Sequence, residues 1–156
     1  RVAVMLGVTG PCIVLETMCS GGLTGLHLAR RAIAAGDCEA AFVGGVNLLL
    51  NPESTVYFSR IKALSPTGRC RAFDASGDGY VRSEGVGVAL LKPLSKALAD
   101  GDRVLALLRG SAAGNDGETY SGAAPNPDGQ RRVIRAAWAD AGLDPRSAGM
   151  VEADEG

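Results

Sequence analysis

Histidine is almost missing from this chain. His27 is the only one among 156 residues, and the four cysteines at 12, 19, 38 and 70 form no C-x-x-C pair. Zinc-type spacing therefore cannot be written, no metal site or disulfide framework is expected, and a reducing cytoplasm suits the thiols best. Excess charge is lacking too: a formal net charge of -1 excludes the strongly basic surface of a nucleic-acid binder. The clusters Arg30-Arg31, Arg69 with Arg71, and Arg131-Arg132 with Arg135 read as solvated faces. No charged-then-apolar leader and no apolar run of about 18 residues is present, so neither secretion nor a membrane span is expected. Gly44-Gly45 and Gly77-Asp78-Gly79 match no phosphate-loop or dinucleotide fingerprint and read as close packing. Asp74, Asp78 and Glu84 lack the calcium-loop spacing, which leaves them as loop-fixing partners of Arg71 or Arg82.

What is present suits one globular domain: 46 % hydrophobic and 21 % charged residues are enough to predict a buried core. The chain opens at Arg1 without a methionine and stops at Gly156 behind an apolar run, and residues 1–156 are expected to be an internal segment of one longer domain. Residues 11–18 read as a buried strand. Ser20 to Ala35 place Leu23, Leu26, Ala29 and Ile33 at the helical period, closed by Gly36. Residues 38–47, 86–91, 104–110 and 150–153 read as further strands, 95–99 and 130–141 as helices, and 52–64 as helical or irregular. Between them, 69–85 reads as a long ordered loop anchored by Phe73, Tyr80 and Val81, and loops of that length tend to be functional. Strands alternating with helices predict an α/β layered fold with a covered sheet.

Cys19 falls at the joint between an apolar strand-like run and a small-residue helix start, Met18-Cys19-Ser20-Gly21-Gly22. There, free backbone N–H groups and the positive end of the helix dipole favour a thiolate nucleophile. A backbone N–H in the same turn can serve an oxyanion. The rival reading, a small buried core residue, describes most cysteines. His27 lies eight residues on, roughly 12 Å along the helix, too far to reach the thiol, and reads as part of the packed face.

Taken together, several motifs resemble the β-ketoacyl synthase domain of polyketide synthases, a branch of the thiolase-like condensing enzymes. Glu16-Thr17-Met18-Cys19-Ser20 resembles the D-T-A-C-S nucleophile signature, His27-Leu28-Ala29 the following L-H-L-A, and Gly44-Gly45-Val46-Asn47 the A-G-G-V-N strand end. Leu64-Ser65-Pro66 with Gly68-Arg69-Cys70 matches L-S-P-x-G-R-C. Phe73-Asp74, Asp78-Gly79-Tyr80-Val81-Arg82 and Glu84-Gly85 match F-D-x-x-x-D-G-Y-V-R-G-E-G. Asn115, Asp116-Gly117 and Ala124-Pro125-Asn126 resemble the loop before the family's A-L-x-D-A-G-L helix, here Ala137 to Leu143.

The resemblance implies a thiolase-like layered αβαβα fold, incomplete over these residues, and decarboxylative Claisen condensation in polyketide biosynthesis. Cys19 would take an acyl chain from a carrier-protein thioester, its backbone N–H serving as an oxyanion donor, and a malonyl-type extender on acyl carrier protein would lose CO2 and attack. Met18 enlarges the side chain beside the nucleophile, and Asn115 and Pro125 are the expected substrate-side residues. No metal or redox cofactor is implied, because the phosphopantetheine arm belongs to the carrier protein. A homodimer is implied, with residues 11–18 at its interface. The family's first catalytic histidine stands in V-E-A-H-G-T-G, whereas this chain reads Val151-Glu152-Ala153-Asp154-Glu155-Gly156. Asp154 at that position would repel the developing enolate; its place within the last three residues favours a terminal artefact over natural loss of function. The second histidine, its lysine neighbour and the remaining oxyanion donor lie beyond the matching stretch. The alternatives are a fatty-acid synthase condensing enzyme, a thiolase relative, or a condensation-silent ketosynthase that holds or passes acyl chains. Met18, Leu91 to Lys96 and Pro125-Asn126-Pro127 also resemble synthases whose acyltransferase is a separate protein.

Overall fold

Glycine and proline punctuate this chain, and the helices begin and end where they stand. The computed structural model describes residues 1–119 and 124–153. In chain order the elements are α1 (Val2–Leu6), a 3-10 turn (Met18–Ser20), α2 (Gly21–Ala35), β1 (Ala41–Asn47), α3 (Glu53–Arg60), β2 (Gly85–Leu91), α4 (Leu94–Ala99), α5 (Pro127–Ala141) and a second 3-10 turn (Pro145–Ser147). Helix α2 closes at Gly36, whose φ of 82° only glycine adopts cheaply; its N–H and that of Asp37 return to Ile33 and Ala32 carbonyls. Helix α5 starts three residues before the periodic pattern does, because the Asn126 side chain accepts the N–H groups of Asp128 and Gly129 and Pro127 occupies the first turn.

Strands β1 and β2 pair in a two-stranded sheet. The runs at 11–18, 104–110 and 150–153, expected as strands, carry no strand in the structure. A strand exists only through the ladder it shares with a neighbour, and these apolar runs have no pairing partner among the described residues. The expected core is likewise not enclosed: Ala97 and Ala124, at 7 % and 8 % exposure, are the buried apolar side chains among the described residues, while Val14 is 97 % exposed. Val86, Val88 and Leu90 alternate along β2 and all stand exposed, the pattern of a sheet made to be covered.

The chain divides into two compact units, one of residues 1–44 and 88–147, the other of residues 45–87 with 148 onward. In the first, α2 settles on β1 at Gly25, where a Cβ would stand 2.9 Å from Val43 Cγ1. Helix α5 presents Gly129, Val133, Ala137 and Ala141, four residues apart, to the 110–116 segment. A Cβ on Gly110 would lie 2.5 Å from the Ala137 carbonyl and the Ala141 nitrogen, and one on Gly114 2.5 Å from Val133 Cγ2. The Lys92 ammonium bonds the Asp100 and Asp102 carboxylates.

The second unit is organised by the long loop. Tyr80 N–H donates to the Ala63 carbonyl (3.0 Å) and Ser65 N–H to the Tyr80 carbonyl (2.9 Å). Asp78 accepts from Ser65 Oγ (2.5 Å), Thr67 Oγ1 (2.9 Å) and Arg71 Nη1 (3.1 Å). Asp78 and Arg71 therefore form the loop-fixing pair expected from sequence; Glu84 instead accepts the Leu49 N–H, and Arg82 bonds Thr55 and lies over the Phe58 ring. Tyr80 is an anchor, edge-on to Phe58, but Phe73 is not: it is 79 % exposed, with φ of 64° turning it outward from the loop.

The Ser65 and Thr67 hydroxyls, followed by the Arg71 charge, hold the Asp78 carboxyl below the usual aspartate range. A depressed folded-state pKa stabilises above the unfolded value and is lost as pH falls through the folded one. The clasp is thus expected to be intact at neutral pH and to open only in strong acid. Amide exchange at Ser65 and Tyr80, corrected for intrinsic rates, should be several-fold faster in Asp78→Asn at pH 7, and wild type should approach the variant only below the carboxylate range. Equal protection in both proteins at pH 7 would contradict the clasp.

Candidate active site

The first unit places Cys19 in the middle of the 3-10 turn that runs into α2, with its side chain exposed. The turn is built by its neighbours. Met18 adopts φ of 54°, a left-handed conformation that costs an unbranched L-residue on the order of 1 kcal/mol. Glu16 holds it there, its carboxylate accepting the Met18 N–H at 2.9 Å. On the other side of the cysteine, Ser20 Oγ donates to the Thr17 carbonyl at 2.9 Å and lies 3.0 Å from Thr17 Oγ1, which reaches Thr24 Oγ1 at 3.4 Å.

Two consequences follow for the sulfur. Ser20, although it occupies the N-cap position of α2, spends its hydroxyl on Thr17 and makes no side-chain cap, and the first turn of α2 carries no acidic residue. The first turn of α2 is thus capped by no side chain of its own, while the Glu16 carboxylate sits on the Met18 N–H that begins the 3-10 turn. In addition, Cys19 directly follows the strained Met18 within the turn. Strain of this kind persists only where surrounding contacts enforce it, and here Glu16, Thr17 and Ser20 supply them.

The remaining sequence-derived candidates are placed as follows. Met18 adjoins the nucleophile and is 81 % exposed. Asn115 is exposed and closes its own turn, its side-chain oxygen accepting the Gly117 N–H at 2.7 Å. Pro125 is exposed just before the Asn126 cap of α5. Among the described residues no hydrogen bond joins Asn115 or Pro125 to Cys19. Asp154 lies outside the described residues. His27 is half-buried and its Nδ1 lies 2.9 Å from Ser111 Oγ, so it belongs to helix packing and not to the thiol. Sequence reading missed the Glu16 bracket and the Met18 strain. The available signal was a carboxylate two residues before a residue that must turn, the spacing of a local side-chain-to-backbone bond.

The sequence models for the two halves of the β-ketoacyl synthase family both match this chain, the N-terminal domain over residues 1–97 and the C-terminal domain over residues 105–155. The chain belongs to the β-ketoacyl synthase family. It is 51 % identical over 153 residues to polyketide synthase ThaG of Burkholderia thailandensis, which covers 98 % of this chain and 3 % of that protein. Among solved structures it resembles the oxazolomycin ketosynthase domain OzmH KS7 of Streptomyces albus, with a TM-score of 0.88 and 48 % identity over 92 % of this chain and 26 % of that one. It also resembles the ketosynthase from module 6 of the bacillaene synthase of Bacillus subtilis, with a TM-score of 0.89 and 38 % identity over 94 % and 26 %. The fold is the thiolase-like layered αβ fold of these ketosynthases, represented here by few of its strands. The chain spans about a quarter of the length of those solved domains and a few per cent of ThaG. Among the described residues no helix is long and apolar enough to cross a membrane.

Proposed function

We propose that residues 1–156 are the nucleophile-bearing part of one ketosynthase domain of a modular polyketide synthase, working in the cytoplasm as a homodimer with acyl carrier protein. In the first half-reaction the Cys19 thiolate attacks the carbonyl of an acyl group carried on a phosphopantetheine thioester. A C–S bond forms to Cys19, and the carrier thiol leaves with the electron pair of the broken thioester and is protonated. In the second, a malonyl-type thioester on carrier protein loses CO2, and its α-carbon attacks the acyl-Cys19 carbonyl. The tetrahedral oxyanion collapses, expelling the Cys19 thiolate and leaving a carrier-bound β-ketoacyl chain.

The observation that carries this reading is a cysteine in a strained turn that runs directly into a helix. Acyl transfer needs a nucleophile beside donors aimed at the developing oxyanion, and a helix-opening turn offers its backbone N–H groups as such donors. The backbone N–H of Cys19 is the first oxyanion donor in this proposal, and Met18, Asn115 and Pro125 are its substrate-binding residues. Exposed apolar faces on β2 and on residues 13–14 support a larger domain and a second copy as their cover. The names of the relatives, polyketide synthases and ketosynthases, support polyketide over fatty-acid chemistry.

Asp154 bears chiefly on the second half-reaction, where an anion would oppose the enolate. The test supplies the whole domain with an acyl-carrier thioester and a malonyl-carrier thioester and follows products by mass spectrometry. Acyl transfer to the protein is expected. Condensation is expected to rise at least about tenfold in Asp154→His, since removing one like charge next to a developing carbanion is worth a factor of that order or more. A protein that never takes an acyl group from the carrier would overturn the proposal.

A further inference from the structure

Helix α2 is held near its middle by a circuit of side chains that the acyl-transfer chemistry leaves without a role. His27 and Arg30 stand three residues apart, on one face of the helix. His27 Nδ1 lies 2.9 Å from Ser111 Oγ, and the Ser111 N–H donates to Asp140 Oδ2 at 2.9 Å. The same Asp140 oxygen accepts from Arg30 Nη1 at 2.6 Å, while Arg30 Nη2 donates to the Arg109 carbonyl at 3.3 Å. One carboxylate on α5 thus joins the 109–111 segment to the helix that Cys19 opens. Gly110 leaves the circuit little slack, because the backbone there already approaches Ala137 and Ala141 as closely as a glycine allows.

We infer that Asp140 is a positioning residue for Cys19, fixing the tilt of α2 through Arg30 and Ser111 so that the sulfur meets the thioester in a reactive pose. The inference rests on the acyl-transfer reading above. Arg30 follows Cys19 by eleven residues, roughly 16 Å along the helix. A tilt of about 4° about the clamp carries the sulfur through about 1 Å, and misplacement on that scale costs on the order of 100-fold in rate. The pair is partly exposed, with 27 % and 34 % of the two side chains accessible, and such pairs contribute little to stability. Losing the clamp is therefore expected to show in turnover far more than in melting.

The experiment measures saturation kinetics of Cys19 acylation by an acyl-pantetheine thioester in the whole domain, beside thermal melts, for Asp140→Ala, Arg30→Ala and the double variant. Each single change is expected to lower kcat about 10- to 100-fold with KM within about twofold, and the double to lose no more than the worse single, since both break one contact. Asp140→Asn, which keeps an acceptor for the Ser111 N–H, should recover part of the loss. A folded Asp140→Ala with kcat within about twofold of wild type, or with its whole loss in KM, overturns the inference. Should Asp140→Ala fail to fold, Arg30→Ala, which removes the other half of the same contact, carries the same expectation and the same overturning result. Wild type that takes no acyl group removes the acyl-transfer reading itself, whereas wild type that acylates beside an unimpaired Asp140→Ala removes this inference alone.

Discussion

Replacing Cys19 with alanine is expected to reduce acyl loading from a thioester donor by at least about 1000-fold, to the background of the assay. Nothing else in the turn can take over the attack: the neighbouring Ser20 hydroxyl is committed to Thr17 and is not activated by a base. The same substitution should leave folding little changed, within about 1 kcal/mol, because it removes a single sulfur from a turn whose own bonds, Glu16 to the Met18 N–H and Ser20 to the Thr17 carbonyl, remain. A large effect on chemistry with a small effect on stability separates a nucleophile from a core cysteine. Loading measured by intact-protein mass, beside a denaturant titration, reads both at once. Full loading of the alanine variant would refute the assignment.

Gly79→Ala is expected to be the most damaging small change in the second unit, costing about 3 kcal/mol or more. Gly79 has φ of 126°, and a Cβ would stand 2.6 Å from the Ser65 nitrogen, 2.7 Å from the Leu64 carbonyl carbon and 2.8 Å from the Ala63 oxygen. All three atoms are backbone, fixed by the hydrogen bonds between 63–65 and Tyr80, so none can rotate away. Gly68 is the control. It also has positive φ, at 68°, but nothing lies within 4 Å of its missing Cβ, so Gly68→Ala should lose only about 1 kcal/mol from backbone conformation. Denaturant titration of the two variants in the whole domain checks the ordering, and equal losses would show that the loop yields.

The elements legible in the sequence were those defined by their own period and punctuation. Helices α2, α4 and α5 follow apolar spacing and glycine stops, and β1 and β2 lie within a residue or a few of the runs that suggested them. Residues 11–18, 104–110 and 150–153 carry no strand here, because apolarity shows that a segment will be covered, whereas a strand also needs a neighbour to pair with it. Helix α1 carries no polar face to mark a period, and its five residues fall below the length at which periodicity speaks. The Cys19 turn was legible in outline because a change from apolar to small residues marks a helix start. Its strain was not, since φ of a methionine is set by what surrounds it. The Arg30–Asp140 bond joins residues 110 apart in the chain, and no local pattern announces such a partner.

Cys19 shares the chain with three other free thiols, Cys12, Cys38 and Cys70, which makes their relative reactivity the most direct test of the turn's role. The whole domain, treated with substoichiometric acyl-pantetheine thioester and cleaved after Glu16 to part Cys12 from Cys19, should carry nearly all of the label on Cys19. Label spread evenly over the thiols would contradict the account, because the turn would then add nothing to the reactivity of Cys19.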